Sequence, residues 1–507
     1  MSQSRKKVDT RVEADSLGEV EIPATAYWGI ATERVLEKIS PPELKTSSFL
    51  IRAFALTKRA AATVNSDLNF LEKELAGAIT VGCEQLQNGA LDDSIVVSGY
   101  HGSLGSGLNT NVNEVIANYA NNFLGKGLGT YAPIEPWKHV NLNHGVNDAY
   151  ITAMRLSILL SLDTLTDSLL ELERMLRRKS LQFERVIKTG RVCLQDSSPV
   201  TLGQELNAHG SSIEKSLRRI LECRESFKEV NLGGGDTGTG YNIASSFRDR
   251  IIGQLSELSG FDLKPPDDYF RLSSSLTDFA HFSSTTKDLA LDLCKIASDL
   301  RLMSSGPAAG LGELSSETNR DSSSKSSALL PSETTNQIGA MAESLIMICH
   351  HICGNDLSVS LAQTSGILEA NGASPMVIHK ILESISLLAH SIDRFSRLGL
   401  SSISARQSDC LAQTEKTSSF REMLSAEIGE MKAEEVVKGA KSENKDVKTM
   451  LQERETLPAQ RIEAFYHHRT MTSAKRIIPF IKEGAEATGT APVEEDKGQT
   501  PGRDGLK

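Results

Sequence analysis

From Ile151 onward the apolar positions Met154, Ile158, Leu162, Leu165, Leu169, Leu172 and Leu176 recur at steps of three and four, the stripe of one long helix. The same spacing returns in Phe279, Phe282, Leu289, Leu293, Ile296 and Leu300, and again in Ile378, Ile381, Ile385, Leu388, Ile392 and Phe395. Long helices with narrow stripes bury them against one another, so the pattern predicts an all-α chain built on a central helical bundle. The last helix has a marked start, because Ser374 is placed to cap free N–H groups and Pro375 fits the first helical position, where its missing N–H costs nothing.

Residues 1–147 mix shorter helical stretches with loops, including the Gly/Ser/Asn-rich 102–113, and read as a separate N-terminal lobe. The bundle domain spans 148–398 and is interrupted by two irregular segments, 231–242 and 304–335, the second with a dense serine run. Loops of this length inside a compact core are usually functional. Residues 399–483 form a small C-terminal helical lobe, with a charged stretch from Glu430 to Glu455, and the Gly, Pro, Thr and charge of 484–507 predict a disordered tail. The sequence shows no internal repeat.

Composition narrows the function classes. The 507 residues carry a modest net charge of −10, without a Lys/Arg cluster interleaved with aromatics, which argues against nucleic acid as a partner. Seven scattered cysteines and a polar, basic Met1–Thr10 without an apolar run point to reduced thiols in a cytoplasmic setting, with neither signal nor transit peptide. No segment supplies the roughly 20 apolar residues that predict a membrane span.

Ordered motifs run along the chain: Arg11-Val12-Glu13, Leu17-Gly18-Glu19, Tyr27-Trp28-Gly29-Ile30, then the run from Asn109 through Asn118. His139-Val140-Asn141, Asn147-Asp148-Ala149-Tyr150, Gly190-Arg191 with Leu194-Gln195-Asp196, the stretch 231–242, the stretch 302–313 and Gly354-Asn355-Asp356 follow. From about residue 10 to about residue 400 this series resembles the aspartase/fumarase superfamily. Ala149-Tyr150 and Ser304-Ser305-Gly306-Pro307 look more like aspartase. The resemblance implies a three-lobe helical subunit, a homotetramer whose active sites each draw segments from three subunits, and reversible β-elimination of ammonia, water or an amine from a succinate-type substrate without an organic cofactor.

Such an elimination needs a base for a weakly acidic proton next to a carboxylate, and donors that stabilise the doubly negative carboxylate it leaves. The resemblance implies a serine base on a loop of pattern G-S-S-x-x-M-P-x-K-x-N-P, which is absent here. Counting back from Gly354 puts Glu343 on the family's acidic position, Asn336 in place of the lysine, Ile338 in place of the asparagine and Leu330-Pro331 in place of the serine pair. Counting forward from Gly310 instead puts Ser323 and Ser324 on the serine pair, so the loop carries an insertion. Ser323 and Ser324 are the candidate bases; the competing reading is a serine-rich loop with no catalytic member.

Other anchors shift the same way. Gly145-Val146 stand where the family has Ser-Ser or Ser-Thr, which leaves Asn147 to bind a carboxylate. Val192 and Cys193 replace a threonine and a His or Gln, and Ala308 replaces a common arginine, whereas Ser106 and Asn109 are retained donors. Each such loss removes about 1.5–3 kcal/mol of hydrogen bonding to a charged ligand. His144 is a candidate acid or base beside the pocket, against a structural histidine; Cys193 is a candidate contact or nucleophile, against a small buried hydrophobe. Cys349, His350, His351 and Cys353 have the ligand types for a metal but do not share a helix face, so no metal is predicted. The Gly-rich 233–240 lacks the strand and spacing of a phosphate loop and reads as a close-packed turn.

Three functions suit this architecture: an aspartase-type lyase, a lyase for a bulkier or less charged substrate, and a non-catalytic subunit of a mixed tetramer. The lineage favours chemistry, whereas the missing anchors oppose the usual diacid. A lyase-type enzyme therefore ranks first, with C–N cleavage ahead of C–O.

Overall fold

The computed structural model describes residues 9–37, 44–306, 308–316 and 337–473. The chain opens on an antiparallel hairpin, β1 (Thr10–Asp15) and β2 (Gly18–Pro23), where the pattern predicts only helices and loops. Its strands do alternate, in Arg11-Val12-Glu13-Ala14-Asp15 and Glu19-Val20-Glu21-Ile22, but each is only six residues long, and the buried members are Glu13 and Ile22 while Val12 is 60% exposed. Helices α1 (Ile30–Leu36), α2 (Ser48–Asp67), α3 (Lys73–Gln87) and α4 (Ser106–Phe123) complete the N-terminal part.

Five long helices make the bundle. The first, α5 (Val146–Gln182), is followed by the hairpin β3 (Ile187–Val192) and β4 (Gln195–Thr201), and then by α6 (Leu202–Ser226). Helix α6 starts on a capping box in which Thr201 and Gln204 bond reciprocally, and it packs back along α5. After α7 (Ser245–Ser259) and α8 (Tyr269–Ser274) come α9 (Thr277–Met303), the short strand β5 (Leu314–Ser316) and α10 (Gln337–Ala362). A two-residue pair, β6 (Gly366–Ile367) and β7 (Ala370–Asn371), leads into α11 (Ser374–Arg394). All nineteen stripe positions named in the sequence lie in the buried core, because each helix covers its neighbour's stripe.

Helix α11 starts differently from expectation. Its N-cap is Ala373; Ser374 is already helical and donates its hydroxyl to the Asn371 carbonyl at 2.8 Å, while Asn371 Oδ1 accepts from Ala373 N–H. By length and composition α10 is apolar enough to cross a membrane, contrary to the sequence expectation. It packs on α9 and α11, however, and buries Asp356 against Ser283 and Lys287 and Asn355 against Glu383 and Ser384. Its opposite face leaves Met347, Leu357 and Leu361 more than 60% exposed.

The C-terminal part adds β8 (Ile403–Ala405), paired with β5, then α12 (Gln407–Thr414), α13 (Ser418–Ile428), α14 (Glu430–Glu443), α15 (Val447–Glu453), α16 (Ala459–Phe465) and α17 (His468–Thr472). These helices share a small core of their own, which also takes in Ile187 at the start of β3.

Candidate active site

The chemistry-bearing residues collect at opposite ends of α5. At 37 residues this helix is about 55 Å long. Asn147 lies in its first turn, beside the N-terminal part, whereas the β3–β4 hairpin carrying Arg191 and Cys193 follows its last.

At the N-terminal end, α4 carries Ser106 and Asn109. Ser106 is half-buried at the helix start, and its hydroxyl has no hydrogen bond among the described residues. Asn109 is fully buried in a polar cluster around Lys58. The Lys58 ammonium donates to Asn109 Oδ1 and Asn141 Oδ1, both at 2.7 Å, and to His144 Nε2 at 2.9 Å. His144 Nδ1 donates to the Leu142 carbonyl at 2.9 Å, which fixes the tautomer that leaves Nε2 as acceptor. Burial and then the Lys58 charge hold His144 well below the ordinary imidazole range, so it is neutral and engaged on both nitrogens.

The rest of the Asn109–Asn118 motif also pins the lobe together. Glu114 accepts from the N–H groups of Gly29, Ala31 and Thr32 at the start of α1, Asn111 accepts from Val96 N–H, and Asn118 donates to the Tyr27 carbonyl.

Lys58 itself has no counterpart in the sequence reading, although it falls on the buried stripe of α2 between Phe54 and Ala61. Burial lowers it from 10.5 to about 7. Between those values the unfolded chain holds a proton that the folded chain has shed. The group therefore adds stability as pH rises above about 7, and that stability is lost as pH falls through about 7. Lys58→Met is expected to flatten the rise in unfolding temperature between about pH 7 and pH 9; a slope identical to the parent's would show that Lys58 stays protonated in the fold.

The start of α5 is closed by the chain itself. Asp236 Oδ1 accepts from Val146 N–H at 2.8 Å and Asn147 N–H at 3.1 Å, so a carboxylate already sits on the positive end of the helix. The Asn147 amide donates to the Asp236 carbonyl at 2.9 Å and the Ser273 carbonyl at 3.0 Å, which uses both of its hydrogens. Within this chain both Asn147 amide hydrogens are therefore engaged by backbone carbonyls. Gly145 is explained by the same contact, because a Cβ there would stand 2.5 Å from Asp236 Oδ1. Asp148 Oδ2 accepts from Gly233 and Gly235 N–H, each at 2.9 Å, so the Gly-rich run is a turn clamped against α5.

At the other end the Cys193 expectation reverses. Cys193 and Leu194 form the two-residue tip of the β3–β4 hairpin with φ of +52° and +60°, a turn geometry that favours Asn and Gly. Cys193 is exposed rather than buried, flanked by Val192 and Leu194 at 64% and 74% exposure. Two non-glycine residues held in the left-handed region cost of order 1–3 kcal/mol each, a strain typical of functional tips. Beneath the tip a cavity of about 550 Å³ opens between the hairpin, α6 and α9, with His209 and Asp299 3.3 Å apart in its wall.

The hairpin base is held by charge. Glu313, fully buried before β5, meets Arg191 at 2.8 Å and Lys188 at 2.9 Å, and Lys188 also meets Glu205 at 2.7 Å. Glu343 is exposed on α10 and paired with Arg301 at 2.6 Å. Ser323, Ser324 and Asn336, with Leu330 and Pro331, lie outside the described residues. The cysteines are free thiols, and His351 pairs with Glu383 at 3.3 Å. Among the described residues no group of three or more His, Cys, Asp or Glu side chains is placed to hold a metal.

Comparison with known proteins agrees with this architecture. The family model described as lyase matches residues 18–332. Aspartate ammonia-lyase of Pseudomonas aeruginosa is 34% identical over 473 residues, covering 93% of this chain and 98% of the relative. Class II fumarate hydratase of Thermosynechococcus vestitus is 33% identical over 468 residues, covering 92% and 99%. The crystal structure of fumarate lyase:delta crystallin from Brucella melitensis superposes with a TM-score of 0.81 at 35% identity, covering 90% of this chain and 98% of that one. With helices, motifs and relatives in agreement along nearly its whole length, the chain belongs to the aspartase/fumarase superfamily of lyases.

Proposed function

We propose that this lyase performs reversible β-elimination and addition at a carbon–nitrogen bond of a succinate-type substrate in which one carboxylate is replaced by a neutral or cationic group. The observation that carries the reading is Asp236. Its carboxylate and the two carbonyls on the Asn147 amide occupy the donors that the family resemblance assigns to a substrate carboxylate. A second anion there would meet like charge and unpaired acceptors, a cost of several kcal/mol. Ser323 or Ser324 serves as base, and Ser106 supplies a donor to the carboxylate that remains. Relatives that are aspartate ammonia-lyases support nitrogen as the leaving atom.

The site is shared between copies. The two ends of α5 cannot meet within one chain, so Ser106 works with the hairpin and serine segment of other subunits in a homotetramer. The uncovered apolar face of α10 and the exposed Val192 and Leu194 are surfaces for that assembly. The enzyme is cytoplasmic and works without metal, organic cofactor, nucleic acid or membrane.

The test compares aspartate with its side-chain amide and side-chain methyl ester, following absorbance of the conjugated product. The amide or ester is expected to be preferred by about tenfold or more, and Asp236→Ser to shift preference toward aspartate by a similar factor through loss of one negative charge. Preference for aspartate with Asp236 intact would sink the reading. No product from all three at high enzyme concentration would favour the non-catalytic subunit, which the same closed helix end also suits.

A further inference from the structure

A second cavity, of about 330 Å³, lies far from the hairpin tip, where the root of β3 meets the C-terminal helices. Its wall brings together Arg185 from the approach to β3, Lys448 on α15, and His467 and His468 at the start of α17, with Glu463 as the one carboxylate. Lys448 is neutralised by Glu463 at 2.8 Å. Arg185 has no carboxylate partner among the described residues. The two imidazoles stack with centroids 4.5 Å apart, and His468 Nε2 is buried without a hydrogen bond, 3.8 Å from Glu184. Burial, then His467, hold His468 below the ordinary imidazole range; Arg469 and Arg185 push the same way and Glu184 alone opposes them. In a chain of net charge −10, a guanidinium thus stands in one wall with a buried ring nitrogen that makes no hydrogen bond.

We propose that this cavity binds a small phosphate-bearing metabolite, its phosphate bridged by the Arg185 guanidinium and the His467 and His468 rings. A planar guanidinium and ring N–H donors match a tetrahedral oxyanion, and the volume sits at the lower end of small-molecule sites. The position suits an effector. Ile187, in the same wall, belongs both to β3 and to the C-terminal core, so a bound phosphate would brace the hairpin against that core from below. The site is independent of the elimination reading, since binding is measured without turnover.

The experiment is calorimetric titration of the full chain with inorganic phosphate at pH 6.5, at constant ionic strength. Saturable binding is expected, weakened about tenfold by Arg185→Gln as charge-assisted bonds are removed, and further by His468→Gln as the ring nitrogen is lost. Glu463→Gln is expected to tighten binding several-fold by freeing Lys448, a gain that misfolding cannot imitate. Equal heats from chloride, unchanged affinity in the Arg185→Gln/His468→Gln variant, or a looser Glu463→Gln would overturn the proposal. Binding that appears only after residues 474–507 are removed would do so too, since that segment would then be the occupant.

Discussion

Two variants that are each inactive, Ser323→Ala/Ser324→Ala and Ser106→Asp, are expected to regain activity when co-expressed. Ser106→Asp leaves the fold intact, because an acidic residue in the first turn of α4 suits the helix dipole, while its charge repels the substrate carboxylate. If each site takes Ser106 from one subunit and the serines from another, random mixing makes about a quarter of sites wild-type at both positions. Activity near that fraction, measured on tetramers carrying both variants, checks the shared site. Continued inactivity of verified mixed tetramers would place the whole site within a single chain.

Glu313→Gln is expected to be the most destabilising charge-removing change at the hairpin base. Glu313 is fully buried between Lys188 and Arg191, and removing its charge leaves two inward cations facing only Glu205. Breaking a buried pair from one side costs about 3–5 kcal/mol. Glu205→Gln touches the same lysine, but its carboxylate is 31% exposed, and a loss below about 1 kcal/mol is expected. Denaturant unfolding of both variants reads the order. A Glu205→Gln loss equal to or larger than that of Glu313→Gln would show that the buried carboxylate does not anchor the hairpin.

The bundle was legible because its signal is local. Met154 through Leu176 declare a buried face by spacing alone, and burial of every one follows from helix packing. The opening hairpin was not, since Val12 and Ala14 alternating with Arg11, Glu13 and Asp15, and Val20 and Ile22 with Glu19 and Glu21, give a period-2 signal only a few residues long. Cys193 was misread as buried because the sequence shows residue type and not turn geometry, and only a φ of +52° reveals the exposed tip. The contacts of Asn147 were illegible for a different reason. Its competitors, Asp236 and Ser273, are 89 and 126 residues away in sequence, and no periodicity reports that meeting. Gly145 was read only as a lost hydroxyl, whereas it is also the space that Asp236 needs. Lys58 was open to notice, as a lone cation on an otherwise apolar stripe of α2.

The length of α5 has a bearing on how such an enzyme would be controlled. If the two halves of the chemistry lie at opposite ends of this rod of about 55 Å, a solitary subunit is inert however well folded it is. On the shared-site reading, turnover per subunit falls away on dilution before any helix melts. Abundance then acts as a switch, and a copy damaged at either end spoils sites belonging to its healthy neighbours.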